Sequence, residues 1–417
     1  MAVLLYNIFL QLYVAGISVA AIFNEKARLW KQGRKNIFER LKQDIPGSRH
    51  VIWVHCASLG EFEQGRPVIE SLRKEYPNHK ILLTFFSPSG YEIRKNYNGA
   101  DWVFYLPHDS PGNAKRFLNI VQPSLAIFVK YEYWYHYLHQ LHQRHIPAVL
   151  ISAIFQKDKI FFKWYGVLHR RMLHFFSHIF VQDAQSEILL HTIIPKAKVS
   201  VAGDTRFDRV MEIATQSEPV EAIEWFAAGR KILVAGSTWP EDEKHLKTVL
   251  EKNNELSLII APHEITVSHI NFIQSLFSDH ILYSQLAAND LAGDLSSKNV
   301  LIINNIGMLA KLYRYADICY IGGGFNKSGI HNTLEASVYG KPVIFGPNYQ
   351  KFSEAVELIK NKGGFSYTTE NELAGIVSNL LSHTSLLEAA GESAGNFVRA
   401  HTGATRTILD FFRKIFF

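Results

Sequence analysis

Apolar residues fall into short runs separated by mixed stretches of helix length. In the first half the runs are HVIWVHCA (50–57), KILLTFF (80–86), DWVFYLP (101–107), SLAIFVK (124–130), AVLISAIF (148–155) and HIFVQD (178–183). Each is rich in Val, Ile or aromatics and predicts a buried strand. Strands alternating with helices predict right-handed βαβ units and parallel sheets covered by helices. The pattern pauses over 203–231 and restarts with KILVAGST (231–238), LSLIIAPHE (256–264), HILYSQL (280–286), VLIINN (300–305), DICYIGGGF (317–325) and PVIFGP (342–347). The chain therefore reads as two doubly wound α/β domains, over 25–203 and 229–417, joined by a linker over 204–228. The last helix is free to return to the first domain. Two such domains facing each other place a ligand between the carboxyl ends of their sheets.

The first 23 residues carry no charged side chain. A helix of about 22 residues spans about 33 Å, enough for a bilayer core. Lys26, Arg28, Lys31, Arg34 and Lys35 follow at once. Residues 1–24 thus read as a retained membrane anchor, and the basic flank puts the body on the cytoplasmic side. A helix lying in one leaflet is the alternative reading. The 417 residues carry a net charge of +6, a basic excess that suits anionic partners without choosing among them. Cys56 and Cys319 both lie in apolar runs and read as core residues in a reducing compartment.

Candidate chemistry gathers after the strands. In HCASLGEFEQGRP (55–67), Ser58 and Glu61 have capping-box spacing, yet a carboxylate at a helix N-terminus also stays ionised as a general base must. Glu63 is a rival base. Glu132 follows the fourth strand. Arg206 reads either as a cation facing developing charge or as a hinge residue paired with Asp204 or Asp208. In GGGFNKSGIHNTLEASVYGKPVIFGPNYQKF (322–352), a glycine-rich turn leads into His331, Asn332, Thr333, Leu334 and Glu335 at a helix start. Glycines let backbone approach a ligand, and the free N–H groups of a helix N-terminus suit a phosphate. Thr238 reads as a helix-cap residue, with Pro240 in the first turn.

This layout resembles the nucleotide-sugar half of GT-B glycosyltransferases. SLGE, HNTLEA and FGPNYQKF, together with YLPHDSPGN (105–113), VKYEYW (129–134), VAGDTRFD (201–208), VAGSTWPEDE (234–243) and IIAPHE (259–264), resemble the 3-deoxy-D-manno-octulosonic acid (Kdo) transferase family of lipopolysaccharide synthesis. The pieces keep the family's order over nearly the whole chain.

The resemblance implies a membrane-anchored GT-B enzyme with two Rossmann-like domains. It would move Kdo from CMP-Kdo to a lipid A precursor, lipid IVA, with inversion, at the cytoplasmic side of a bacterial inner membrane. It implies Glu61 as general base, Glu132 as the second essential glutamate, and Arg206, where many relatives have lysine, beside the departing phosphate. CMP contacts carry over onto Pro262, His263, Ile306, Gly307, Met308 and Asn332 to Glu335. On the acceptor side, Arg66, Thr84, Ser87 and Ser89 can hold sugar or phosphate. No cofactor beyond the donor is implied, and no Asp-x-Asp motif points to a metal. Four histidines at 136, 139, 142 and 145 drift around a helix rather than converge on a metal. The basic, aromatic stretch 154–176 suits either a surface helix or an anionic lipid face. No recognised nucleic-acid module is present. The rivals are a sugar-nucleotide epimerase of the same architecture and a non-catalytic, membrane-tethered nucleotide-sugar binder.

Overall fold

The computed structural model describes residues 1–45, 47, 50–287 and 298–416. The chain forms two compact units, one of Met1–Asp208 with Gly403–Phe417, the other of Arg209–Thr402. Each is built on a seven-stranded parallel sheet.

The first sheet comprises β1 (Val51–Cys56), β2 (Lys80–Phe85), β3 (Trp102–Tyr105), β4 (Pro123–Val129), β5 (Ala148–Ala153), β6 (His178–Val181) and β7 (Val199–Val201), in the order β3-β2-β1-β4-β5-β6-β7. The order reverses between β1 and β4, so the crevice beyond their carboxyl ends is the natural ligand position. Both faces of β1 are covered, which is why its residues are apolar throughout except His55. Trp53 packs with Phe117, Phe128 and Tyr137 on one face. On the other, Val54 joins Phe62 and Ile69 of the helix Leu59–Glu75 and Ile408 and Phe412 of the helix Ala404–Ile415. The C-terminal helix is thus part of the first unit. Arg413 pairs with Glu75 there, and the Asp208 carboxylate accepts the N–H groups of Gly403 and Thr405 at 2.6 Å each.

The second sheet comprises β8 (Lys231–Thr238), β9 (Leu256–Pro262), β10 (His280–Leu282), β11 (Val300–Ile302), β12 (Ile318–Ile321), β13 (Val343–Phe345) and β14 (Gly364–Ser366), in the order β10-β11-β9-β8-β12-β13-β14. Its reversal lies between β8 and β12.

The long strand expected over 280–286 is cut short. Helix Tyr283–Ala287 begins right after β10, and Gln285 turns back to accept the Leu282 N–H. The stretch 204–228 holds two helices, Thr205–Gln216 and Glu221–Ala227.

The N-terminal helix Ala2–Ala20 is long and apolar enough to cross a membrane, and one stripe of it is docked on the first unit. Tyr6 donates to Asp109 at 2.7 Å, Asn7 lies 2.6 Å from His136 Nε2, and Tyr13 stacks on Phe86. Arg34, expected in the basic flank, is instead inside. It donates to the carbonyls of Leu106, Trp30 and Phe86, and burial pulls its pKa down to about 9.

Candidate active site

In the first unit the candidate residues collect beyond the carboxyl ends of β2, β1 and β4. Ser58 caps the helix after β1 in position only. Its hydroxyl binds no backbone N–H and donates instead to Glu61 in the first turn. The reciprocal capping box that the spacing allows is therefore not formed. Glu61 is half-buried, and no described cation lies within ion-pair distance of it. Glu63 differs: Arg94 bonds it at 2.7 Å and Arg66 lies 3.7 Å away. Arg66 is itself held by Glu70 at 2.7 Å.

Glu132 follows β4, with only 6% of its surface exposed. Its Oε2 lies 2.8 Å from His55 Nε2 and accepts the Trp134 indole N–H at 2.6 Å. The two glutamates share a neighbourhood. Burial pushes the Cys56 thiol well up, and the charges of Glu61, Glu132 and Glu63 push it further. Burial and then Glu61 do the same to the Tyr131 phenol. Two carboxylates on either side of a sheet's reversal point can divide a proton transfer and the steadying of a cationic transition state between them.

Thr84 does not stand among the accessible groups. It is fully buried, and its hydroxyl accepts the Trp53 indole N–H at 2.8 Å and meets His55 Nδ1 at 2.9 Å. The alternation of β2 turns it into the sheet, away from any acceptor. Ser87 caps the helix Pro88–Arg94 by accepting the Ser89 N–H, and the two hydroxyls lie 3.0 Å apart. Arg206 is held by Asp204, Nε to Oδ2 at 2.8 Å, so the pairing read as its alternative is present. Thr205, beside it, bonds the Gln64 carbonyl, one turn past Glu61.

In the second unit, Trp239 ends the β8 edge, His263 the β9 edge, and His331 follows β12. Their rings form a stack, Trp239 on His263 at 4.8 Å and His263 on His331 at 4.4 Å. The Trp239 N–H donates to His331 Nε2 at 3.3 Å, which leaves the ring hydrogen on Nδ1. Burial, with His263 adding to it, pulls the His331 pKa down to about 4, so the stack carries a neutral His331 at pH 7. Asp242 ties the loops after β8 and β12 together. It accepts from Trp239 N–H, Gly323 N–H and Tyr320 O–H at 2.9, 2.9 and 2.7 Å, and burial raises its pKa. Close backbone approach explains the glycines: a Cβ on Gly322 would lie 2.3 Å from the Ser237 carbonyl.

Asn332 bonds both Glu335 and the Leu334 N–H, which orders the start of the short helix Leu334–Ser337. Thr333 is fully buried, and its hydroxyl has no hydrogen-bond partner among the described residues. Pro262 is buried in β9, and His263 is exposed beside it. Ile306 is almost fully exposed in the loop after β11, Gly307 takes φ +93°, and Asn305 bonds Met308 Sδ.

A family model described as 3-deoxy-D-manno-octulosonic-acid transferase (kdotransferase) matches residues 32–209. The 3-deoxy-D-manno-octulosonic acid transferase of Haemophilus influenzae is 28% identical over 375 residues, covering 86% of each chain. That of Aquifex aeolicus is 27% identical over 347 residues, covering 82% of this chain and 89% of the other. Over most of its length the chain is similar to Kdo transferases. Its fold is GT-B-like, as solved structures show. UDP-GlcNAc 2-epimerase from Neisseria meningitidis superposes with a TM-score of 0.60 at 17% identity, covering 87% of this chain and 99% of that one. Acinetobacter baumannii MurG gives 0.53 at 14%, covering 88% and 100%. The family's work is glycosyl transfer in lipopolysaccharide biosynthesis.

Trp239 and Asp242, inside VAGSTWPEDE, and His331, which opens HNTLEA, were not singled out as ligand-contacting residues. Their signal was present in Thr-Trp-Pro-Glu-Asp-Glu, where an aromatic residue precedes an acidic first helical turn.

Proposed function

We propose that the protein transfers Kdo from CMP-Kdo to a lipid A precursor, lipid IVA, with inversion at the anomeric carbon. The observation that carries this reading is the contrast between Glu61 and Glu63. Two residues apart, one is tied to arginines and the other is bound only by a serine hydroxyl at the sheet's reversal point. A carboxylate without a cation partner has oxygen free to meet an incoming primary hydroxyl. In this reading Glu61 takes the proton as the acceptor oxygen attacks the anomeric carbon and the bond to the CMP phosphate breaks. Glu132 supports the oxocarbenium-like state. Arg206 serves the departing phosphate once it leaves Asp204. The second unit's stack and glycine loops, with Asn332 to Glu335 and the 306–308 turn, take the CMP part. Arg66, Ser87 and Ser89 remain the acceptor candidates.

The exposed apolar face of the N-terminal helix, with Lys26, Arg28, Lys31 and Lys35 beyond it, supports work at the cytoplasmic face of an inner membrane. The domain reading that goes with this function assigns the acceptor to the first unit and the donor to the second.

Glu61→Gln is the test. Transfer to lipid IVA is expected to fall at least about 100-fold, while CMP-Kdo binding measured by calorimetry stays unchanged. Undiminished transfer by this variant sinks the assignment. Turnover of UDP-GlcNAc alone by the unaltered protein would point to the epimerase instead.

A further inference from the structure

Glu132 is a buried carboxylate, and a buried carboxylate needs partners. Here they are supplied by the register of three adjacent strands. His55 of β1 lies level with Thr84 of β2 on one side and Phe128 of β4 on the other. Lys130, just past β4, takes a left-handed φ of +67°, and three residues beyond the strand end Glu132 meets the His55 ring. A histidine is the one polar interruption of an otherwise apolar β1, and it is fully buried.

Thr84 Oγ1 takes the Trp53 N–H, and His55 Nδ1 lies 2.9 Å from that oxygen and 3.1 Å from the Thr84 carbonyl oxygen. Nε2 faces a carboxylate oxygen, which only accepts, so it carries a hydrogen and donates it to Glu132 Oε2 at 2.8 Å. Trp134 donates to the same oxygen. The other oxygen, Oε1, has no hydrogen-bond partner among the described residues, and it is not sealed from solvent. One oxygen is clamped and the other is presented.

We infer that His55 is the positioning residue of Glu132, fixing the plane of its carboxylate through Oε2 so that Oε1 faces the reacting sugar. Thr84 fixes the ring in turn, the role the strand register gives it in place of acceptor binding. The inference rests on the reading that Glu132 acts in Kdo transfer, and it goes further by assigning the support for that action to a side chain no family motif singles out. A misplacement of about 1 Å in such a group costs about 100-fold in rate.

The experiment compares His55→Leu, His55→Gln and His55→Asn in the full-length protein, with kcat and KM for CMP-Kdo measured on lipid IVA. Gln carries a donor near the Nε2 position and can reach Glu132. Asn carries one near Nδ1 and reaches only Thr84. The expected pattern is kcat lowered about 100-fold in the Leu and Asn variants, with KM for CMP-Kdo within about twofold. Rescue to within about fivefold is expected in the Gln variant. In the double variant His55→Leu, Glu132→Gln, the loss in kcat should match the larger single loss rather than the product, because one device is being removed twice.

Equal activity of the Gln and Asn variants overturns the inference, as does a multiplicative double variant. If the Leu variant fails to fold, the Gln and Asn pair still decides. Full activity of Glu132→Gln alone would instead remove the underlying reading of Glu132.

Discussion

Two glutamates within one helical turn have opposite circumstances, and the difference is set by what each side chain reaches. Glu63 reaches Arg94 and Arg66, both on the surface of the first unit. Surface ion pairs of this kind contribute about 0–1 kcal/mol. Glu63→Gln is therefore expected to leave transfer within about threefold of the starting protein, beside the large loss expected for Glu61→Gln; a matched loss in both, read in the same assay, would shift the base to position 63. The glutamates' identities were legible in the sequence, and their partners were not. Ser58 has the spacing of a capping residue, but only coordinates reveal that its hydroxyl turns to a carboxylate. Thr84 likewise reads as a loop-end hydroxyl until the pleat of β2 is seen to bury it.

His331 adds a pH dependence. Its folded pKa near 4 lies below the ordinary 6.5, so the unfolded chain binds the extra proton first as pH falls. Its contribution to stability is complete above pH 6.5 and is lost as the pH drops toward 4. Thermal melts between pH 7 and 4 should show this decline, and His331→Gln should flatten it. An unchanged slope would mean that other groups dominate the acid limb.

At the scale of elements, most of the strands that were legible are buried on both faces, the partly exposed edge strands β3 and β10 being the exceptions. Twelve of the expected runs hold strands, from β1 to β6 and from β8 to β13, because continuous apolar stretches between turns leave little alternative. The two that escaped, β7 and β14, are three-residue edge strands, VSV and GFS, too short and too polar to stand out. The carboxyl ends matter more than the strands. The second unit's loops after β8 and β12 touch backbone to backbone at Gly322, and Asp242 bonds across them. Gly322→Ala would put a methyl group 2.3 Å from the Ser237 carbonyl, a rigid neighbour that must move. A destabilisation of about 1–3 kcal/mol is expected, typical of overpacking, together with weaker CMP-Kdo binding, measured by denaturant melts and calorimetry. Wild-type values in both would show that these loops have room the close approach denies. The glycine run was legible as a turn, whereas its reason, contact with a loop some 85 residues earlier, belongs to the sheet order β8 beside β12.

At the scale of the whole molecule, the membrane reading proposed above rests on the N-terminal helix. Composition alone predicted a span followed by a basic flank. The structure divides that flank. Arg34 holds three backbone carbonyls together and also lines, with Arg28, Lys31 and Lys35, a cavity of about 510 Å³ against Ser18, Ala21 and Ile22 of the N-terminal helix region; the other three cations make no such carbonyl bonds among the described residues. Beside them Leu4, Leu5, Ile8, Phe9, Leu12, Val19 and Ile22 are exposed. Apolar side chains give adhesion to any bilayer, and cations add attraction only to anionic ones, about 1 kcal/mol each near the surface. Removing three such charges with Arg28→Gln, Lys31→Gln and Lys35→Gln should weaken binding to phosphatidylglycerol vesicles roughly 100-fold at low salt. Binding to phosphatidylcholine vesicles should be unaffected. Arg34→Gln should behave differently, lowering the melting temperature because buried carbonyls lose their donor. Flotation of the starting protein, the triple variant and Arg34→Gln on both vesicle types, with thermal melts of all three, separates these effects. If the triple variant binds both vesicle types as the starting protein does, the three cations face away from lipid and the apolar face alone holds the surface.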